Sequence, residues 1–148
     1  MKIDPVKAGV FSAMEVAASG MSAERSRMNL TAGNLANART TKTEDGGPYK
    51  RLDPIFTGKS VNTHSFDPVL RKVQTVQLEE VRPDTKQGTM VYEPGHPDAN
   101  PDGYVEYPNV NVVTEMVNMM TASRAYEAGV TSIESLKAMA RAALKIGK

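Results

Sequence analysis

The chain is 148 residues long, with 18 basic and 17 acidic residues and no cysteine. So even a charge balance argues against a general nucleic-acid binder, which would present a basic face interleaved with aromatic stacking groups. Without cysteine there is no disulfide framework, no thiolate metal site and no thiol nucleophile.

Hydrophobic residues make up 40% of the chain, with three Phe, five Tyr, no Trp and nine Met. Large aromatic anchors are scarce and the adaptable Met side chain is common, so a thin core is expected. No stretch approaches the ~20 apolar residues that a membrane helix needs. The run AGVFSAM is short and is followed at once by Glu15, so no cleaved signal peptide is expected.

The first predicted element is a helix over about residues 4–37, within an N-terminal segment 1–40. Asp4 followed by Pro5 is a good start, a capping side chain and then a proline at the first helical position. Phe11, Met14, Ala18, Met21, Met28, Ala32 and Leu35 recur with a 3-4 spacing that only Arg25 breaks, a stripe suited to packing along another helix. The helix runs into NLTAGNLANARTT, residues 29–41, which holds Asn29, Asn34 and Asn37, one Gly and three Thr. These residue types weaken a helix. From the residues alone, a frayed solvated end and a set of specific polar contacts are equally good readings.

The middle segment, 41–108, holds eight of the nine Pro and six of the eleven Gly, so strands and turns are expected rather than helix. VQTVQLEEV (73–81), TMVY (89–92) and YVEY (104–107) read as short strands of a small antiparallel β unit, and the TVQLE alternation predicts a half-buried strand. No pattern assigns a conformation to residues 57–74.

The last segment, 109–148, reads as a helix from Asn109 or Asn111 to Ile146. Val112, Met116, Met119, Ser123, Tyr126, Val130, Ile133, Lys137, Ala140 and Leu144 follow a 4-3 spacing. A second apolar set, Val113, Val117, Met120, Leu136, Met139, Ala143 and Ile146, lies beside it. A two-helix pairing hides one face of each helix, so this surplus predicts further partners. The fold class that results is α+β: two long terminal helices paired as a coiled-coil-like core, with a small β-rich middle and long loops.

Chemical motifs are few. His64 and His96 sit in turn-like loops without metal spacing. Residues 98–103 match the opening of a calcium loop through Asp98, Asn100 and Asp102, but its twelfth position is Asn109 where a Glu is required. Catalytic residues, cofactors and a resident metal are therefore not expected. The basic tail KAMARAALKIGK suits the negative end of a helix dipole better than a membrane surface.

SGMSAERSRMNLTAGNLANARTT (19–41) resembles the N-terminal signature of the bacterial flagellar axial proteins, the subunits of rod, hook and filament. GGPYKR (46–51), HPDANPDGYVEYPNVNVVTEMVNMM (96–120) and ASRAYEAGVTSIESLKAMA (122–140) are similar to the proximal-rod branch of that family. Glu24, Gly33 and Gly129 depart from the usual pattern without breaking it. The resemblance implies a non-catalytic subunit that is exported through the flagellar type III apparatus and stacks helically around an export channel, passing torque. It implies as partners other copies, rod subunits of the FlgB, FlgF and FlgG types, and the FliE-type adaptor at the rod base. The interface residues expected on this reading are Met21, Arg25, Met28, Asn29, Asn34, Leu35, Asn37, Met116, Met119, Tyr126 and Ile133, with the three Asn bonding to backbone groups of neighbouring chains. A free-standing coiled-coil adaptor and a calcium module built on Asp98 are the competing readings.

Overall fold

The computed structural model describes residues 5–44, 46–60 and 73–146. Its elements are α1 (Pro5–Ala36), β1 (Leu52–Ser60), β2 (Gln74–Pro83), β3 (Thr89–Tyr92), β4 (Tyr104–Tyr107) and α2 (Val112–Ile146). The expected cap Asp4, His64, Gly147 and residues 61–72 of the unassigned stretch lie outside the described residues.

The start of α2 and the end of α1 have local causes. Asn111 caps α2: its Oδ1 accepts the Thr114 N–H at 3.0 Å, and Glu115 sits in the first turn, where a negative charge suits the helix dipole. At the far end of α1, Asn37 closes the helix. Its backbone N–H and its Nδ2 both donate to the Gly33 carbonyl, at 3.1 and 2.9 Å, and its Oδ1 accepts the Thr40 hydroxyl at 3.2 Å. The helix thus ends without a left-handed residue, with the Gly33 carbonyl accepting from both Asn37 donors and the Leu35 carbonyl accepting the Ala38 N–H at 3.3 Å.

The strands pair as two separate two-stranded sheets, β1 with β2 and β3 with β4. β3 and β4 are antiparallel, with Tyr92 opposite Tyr104 and those rings edge-to-face at 5.2 Å. Gly88 leads into β3 beneath the Tyr107 carbonyl, where a Cβ would have no room. The expected strands at 73–81, 89–92 and 104–107 form. β1 was not expected. Pro54 and Gly58 interrupt it, and no alternation marks it. β2 differs from expectation in burial, because Thr75 alone is buried and Val76, Leu78 and Val81 are exposed.

The chain divides into two compact units. The first comprises Met1–Ser26, Phe56–Glu79 and Ala122–Lys148. Here Ala23 and Ala122 are buried, and the Ser19 hydroxyl accepts the Val76 N–H at 3.1 Å while donating to the Val16 carbonyl at 2.7 Å. The helices approach closely where Met21 of α1 lies over Gly129 of α2: a Cβ on Gly129 would stand 2.5 Å from the Met21 Cγ. The second unit comprises Arg27–Ile55 and Glu80–Thr121. Its fully buried side chains are Val105, Asn34 and Glu115, so its centre is largely polar.

The helical stripes are half right. On α2, Met119, Tyr126, Ile133 and Ala140 are partly buried as expected, but Met116, Val130, Lys137 and Leu144 are exposed. Their places on the inner line are taken by Glu115, Ala122, Gly129 and Leu136. On α1, Met14, Met21, Met28 and Leu35 are partly buried, whereas Phe11, Ala18, Arg25 and Ala32 face outward, and Ser12, Ala23, Thr31 and Asn34 are buried instead. The reason is steric and electrostatic. Close helix approach selects small residues, and a carboxylate or amide that finds its partners is as well placed inside as a methyl group.

Gly129→Ala tests the close approach. Helix propensity alone would stabilise by ~1 kcal/mol, but overpacking against Met21 costs ~1–3 kcal/mol. The expected outcome is a lower urea midpoint that Met21→Ala restores, read from paired unfolding curves of the four combinations.

Candidate functional site

The sequence places one amide, Asn34, two residues before the end of α1 and 18 residues before Leu52. The fold brings the two together. Asn34 Oδ1 accepts the Leu52 N–H at 2.8 Å and Asn34 Nδ2 donates to the Leu52 carbonyl at 2.9 Å, so one side chain satisfies both backbone groups of the first residue of β1, as a neighbouring strand would. The second lone pair of Oδ1 accepts the Tyr49 hydroxyl at 2.9 Å, and the second Nδ2 proton goes to Glu115 Oε2 at 3.1 Å. All four hydrogen-bonding positions of the amide are engaged inside the chain.

Glu115 is held on its other side. Its Oε1 accepts Arg51 Nε at 2.8 Å, and the Arg51 guanidinium also pairs with Asp53. Asn34 and Glu115 are each only 1% exposed. The backbone of Arg51 is satisfied as well, its N–H by Asn109 Oδ1 at 3.3 Å and its carbonyl by the Asp84 N–H at 2.7 Å. Burial alone would lower the Arg51 pKa, but the hydrogen bonds to Asp53 and Glu115 outweigh it and raise the pKa above the ordinary arginine value. Burial, then the Glu115 carboxylate, raise the Tyr49 phenol above its ordinary value, against the opposing pull of Arg51.

This bridge ties the end of α1, the start of β1 and the first turn of α2. Its chemistry is structural: Asn34, Glu115 and Arg51 are all partnered, while Asn109 Nδ2 beside them is buried without a hydrogen-bond partner among the described residues. Asn34 was expected to bond to neighbouring chains, and its partners are the chain's own strand and helix. Asn37 likewise closes its own helix. Asn29 and Arg25 are exposed, Met28 and Leu35 are partly buried, and Met21 covers Gly129. On α2, Met119, Tyr126 and Ile133 lie along the inner line, while Met116 is 51% exposed. The sequence reading gave Glu115 only its place in the first turn and gave Arg51 and Tyr49 no role. The one signal for Glu115 was its four-residue offset from Met119.

Beside Met116 stand Val112, Val113, Val117 and Met120, all exposed, with Val113 at 71% and Met120 at 56%. Together they make an uncharged apolar face over the first three turns of α2. The acidic loop is less suited to an ion. Asn100 Oδ1 accepts the N–H groups of Asp102 and Tyr104, at 3.0 and 2.8 Å, and Asp98 Oδ2 accepts the Thr41 hydroxyl at 2.7 Å. These are the bonds of a tight turn. His96 serves the same turn, its Nδ1 accepting the Asp98 N–H at 3.1 Å.

Two family models match the helices that this bridge joins. Residues 14–41 match the family described as flagella basal body rod protein, and residues 102–146 the one described as flagellar basal body rod FlgEFG protein C-terminal. The fold and its paired helices therefore define a flagellar rod protein. The chain is 41% identical over 148 residues to the flagellar basal-body rod protein FlgC of Borreliella burgdorferi, covering 93% of this chain and 97% of the relative. It is 35% identical over 150 residues to FlgC of Bacillus subtilis, covering 93% and 98%, and 37% identical over 139 residues to FlgC of Salmonella typhimurium, covering 94% and 98%. The chain belongs to the FlgC family of flagellar basal-body rod proteins, structural subunits and not enzymes.

Two outcomes follow from the bridge. Glu115→Ala takes the acceptor from Arg51 Nε and from one Asn34 proton and should destabilise by ~3 kcal/mol, the low end for a broken buried pair because Arg51 keeps Asp53 as a partner and some access to solvent. The urea midpoint reads this directly. Tyr49 makes the fold sensitive to alkali. A phenol whose pKa is raised by folding adds stability that is present below its unfolded value of 10.0 and is lost as pH rises through the folded value. Tyr49→Phe should therefore flatten the decline in stability above pH ~10 without abolishing it, since the hydrogen bond to Glu93 raises Tyr107 in the same direction.

Proposed function

We propose that this chain is a building block of the proximal rod, stacking helically around the export channel and carrying torque from the motor towards hook and filament. The observation that carries this reading is the uncovered apolar face of α2, Val112, Val113, Met116, Val117 and Met120, on a chain whose buried side chains among the described residues are few and mostly polar. Such a face is costly in water, and burying it returns ~25 cal/mol per Å². Its natural covering is other rod subunits: copies of this chain and relatives of the FlgB, FlgF and FlgG types, with a FliE-type adaptor at the base. The rod crosses the periplasm, and its subunits reach it through the type III export apparatus without a cleaved signal.

On this reading the segments 1–40 and 109–148 supply the axial core and 41–108 the outer part. The outward candidates Arg25, Asn29 and Met116 make contacts between subunits. Met21, Met28, Leu35, Met119, Tyr126 and Ile133 hold the helix pair at the spacing those contacts need, and Asn34 and Asn37 set its angle.

The double substitution Met116→Glu, Val117→Glu tests this in a motile bacterium that depends on the gene. Both positions are exposed, so the monomer's stability should move by less than about 0.5 kcal/mol, and export should continue. Rods should fail to form and motility should be lost. Swimming at the normal speed, with rods in normal number, would count against the reading.

A further inference from the structure

Away from the helix pair, the second unit holds a cleft of about 270 Å³, far more than the ~10–15 Å³ that lodges one water. Tyr49 and Lys50 before β1, Lys86 and Gly88 between β2 and β3, Glu106 of β4 and Asn109 before α2 line it, with three further uncharged residues.

Asn109 is only half employed within the chain. Its Oδ1 accepts the Arg51 N–H at 3.3 Å, whereas its Nδ2 is buried without a partner among the described residues. The amide cannot be turned over, because Nδ2 would then face the Arg51 N–H, donor against donor. A carboxylate at this position would accept the same bond and leave no orphan. What the amide adds is a donor screened from bulk water, and such a donor is costly until an acceptor is held against it.

The charges of the lining point the same way. Lys50 and Lys86 are exposed, and neither pairs with a carboxylate among the described residues. Asp84 meets Lys86 through the backbone, its Oδ1 accepting the Lys86 N–H at 3.0 Å. Glu106 is the one acid of the lining, and its Oε1 accepts the Gly88 N–H at 3.2 Å. The cleft therefore offers two ammonium groups and one amide donor to a group that is negative and rich in acceptors, and the two oxygens of a carboxylate can serve all three.

We infer that this cleft receives the carboxylate side chain of an aspartate or glutamate on a neighbouring protein chain of the rod. The inference rests on the rod-subunit reading for its partner and adds to it a polar contact outside the terminal helices. A diffusing anion is the weaker occupant. Salt screens exposed lysines from it, whereas a carboxylate carried by an assembled neighbour is present at high effective concentration.

A carbodiimide condenses a lysine amine with a carboxylate in contact with it, so it reads this pairing directly. Basal bodies are isolated from a bacterium that depends on the full chain, treated with the reagent, and followed on denaturing gels and by mass spectrometry of the linked peptides. A species heavier than the monomer should appear, joined through Lys50 or Lys86 to an acidic residue of another chain. Lys50→Arg with Lys86→Arg keeps both charges, so that linkage should vanish while swimming persists. Asn109→Asp keeps the acceptor for Arg51 and removes the donor, and should lower the yield of the linkage severalfold. Lys50→Glu with Lys86→Glu sets like charges against the incoming group; it should leave the monomer's urea midpoint in place and cut the number of rods severalfold. Basal bodies that contain the chain but give no linkage to another chain through either lysine would overturn the inference. An undiminished yield from Asn109→Asp, or rods in normal number with both lysines reversed, would overturn it too. Failure of the unmodified chain to enter basal bodies is a separate result and would remove the rod-subunit reading instead.

Discussion

A single buried amide sets the geometry of the second unit. Asn34 stands where a neighbouring strand would stand, giving Leu52 both a donor and an acceptor. A backbone N–H and C=O left unpaired inside a protein each cost of the order of 1–3 kcal/mol, so β1 can begin only where this side chain reaches it. The remaining two positions of the amide bind Tyr49 and Glu115, and Glu115 in turn holds Arg51. The end of α1, the start of β1 and the rotation of α2 about its axis are therefore not independent. Once Glu115 points inward, Val113, Val117 and Met120 must point out.

That rotation explains the distribution of apolar surface. The buried apolar side chains among the described residues are Ala23, Val105 and Ala122, a small set for two long helices. The most buried inner positions hold serine, threonine, alanine, an amide and a carboxylate, while Met14, Met21, Met28, Met119 and Ile133 are only partly buried and Val112, Val113, Met116, Val117 and Met120 stand outside. This inverts the pattern of a self-sufficient globule, in which the bulky apolar residues go in. It suits a protein whose stability is completed by neighbours. Small inner residues let the helices approach closely, and the polar bridge specifies one register: a shifted helix would take Glu115 away from Arg51 and Asn34 and leave its carboxylate buried without partners. Outward methionines adapt to partners of differing shape, as a subunit in contact with several kinds of chain requires.

The three asparagines near the end of α1 divide three tasks among themselves. Asn37 bonds back to the Gly33 carbonyl, Asn34 organises the strand and helix packed against that end, and Asn29 is left on the surface. Residues that weaken a helix are tolerated here because their side chains replace the hydrogen bonds that helix propensity measures as missing.

Much was legible along the chain. Both helices and three of four strands follow from local causes: Asn111 as a cap, the seven-residue spacing of Met14, Met21, Met28 and Leu35, and the short β-branched and aromatic runs at 89–92 and 104–107. The family signature is likewise a property of the sequence, carried by separate blocks in order. The tertiary structure decided what spacing leaves ambiguous. A heptad stripe has two sides, and hydrophobicity favoured Met116 and Val130 where packing chose Glu115 and Gly129. A carboxylate reads as a surface residue until its partners are known, and those partners, Arg51 and Asn34, lie 64 and 81 positions away. β1 was hidden for the same reason, because a strand containing Pro54 has little propensity of its own and exists by virtue of the amide and the strand beside it. Local chemistry determined the elements. The inward faces were settled only when polar groups distant in sequence met and became one another's hydrogen-bond partners.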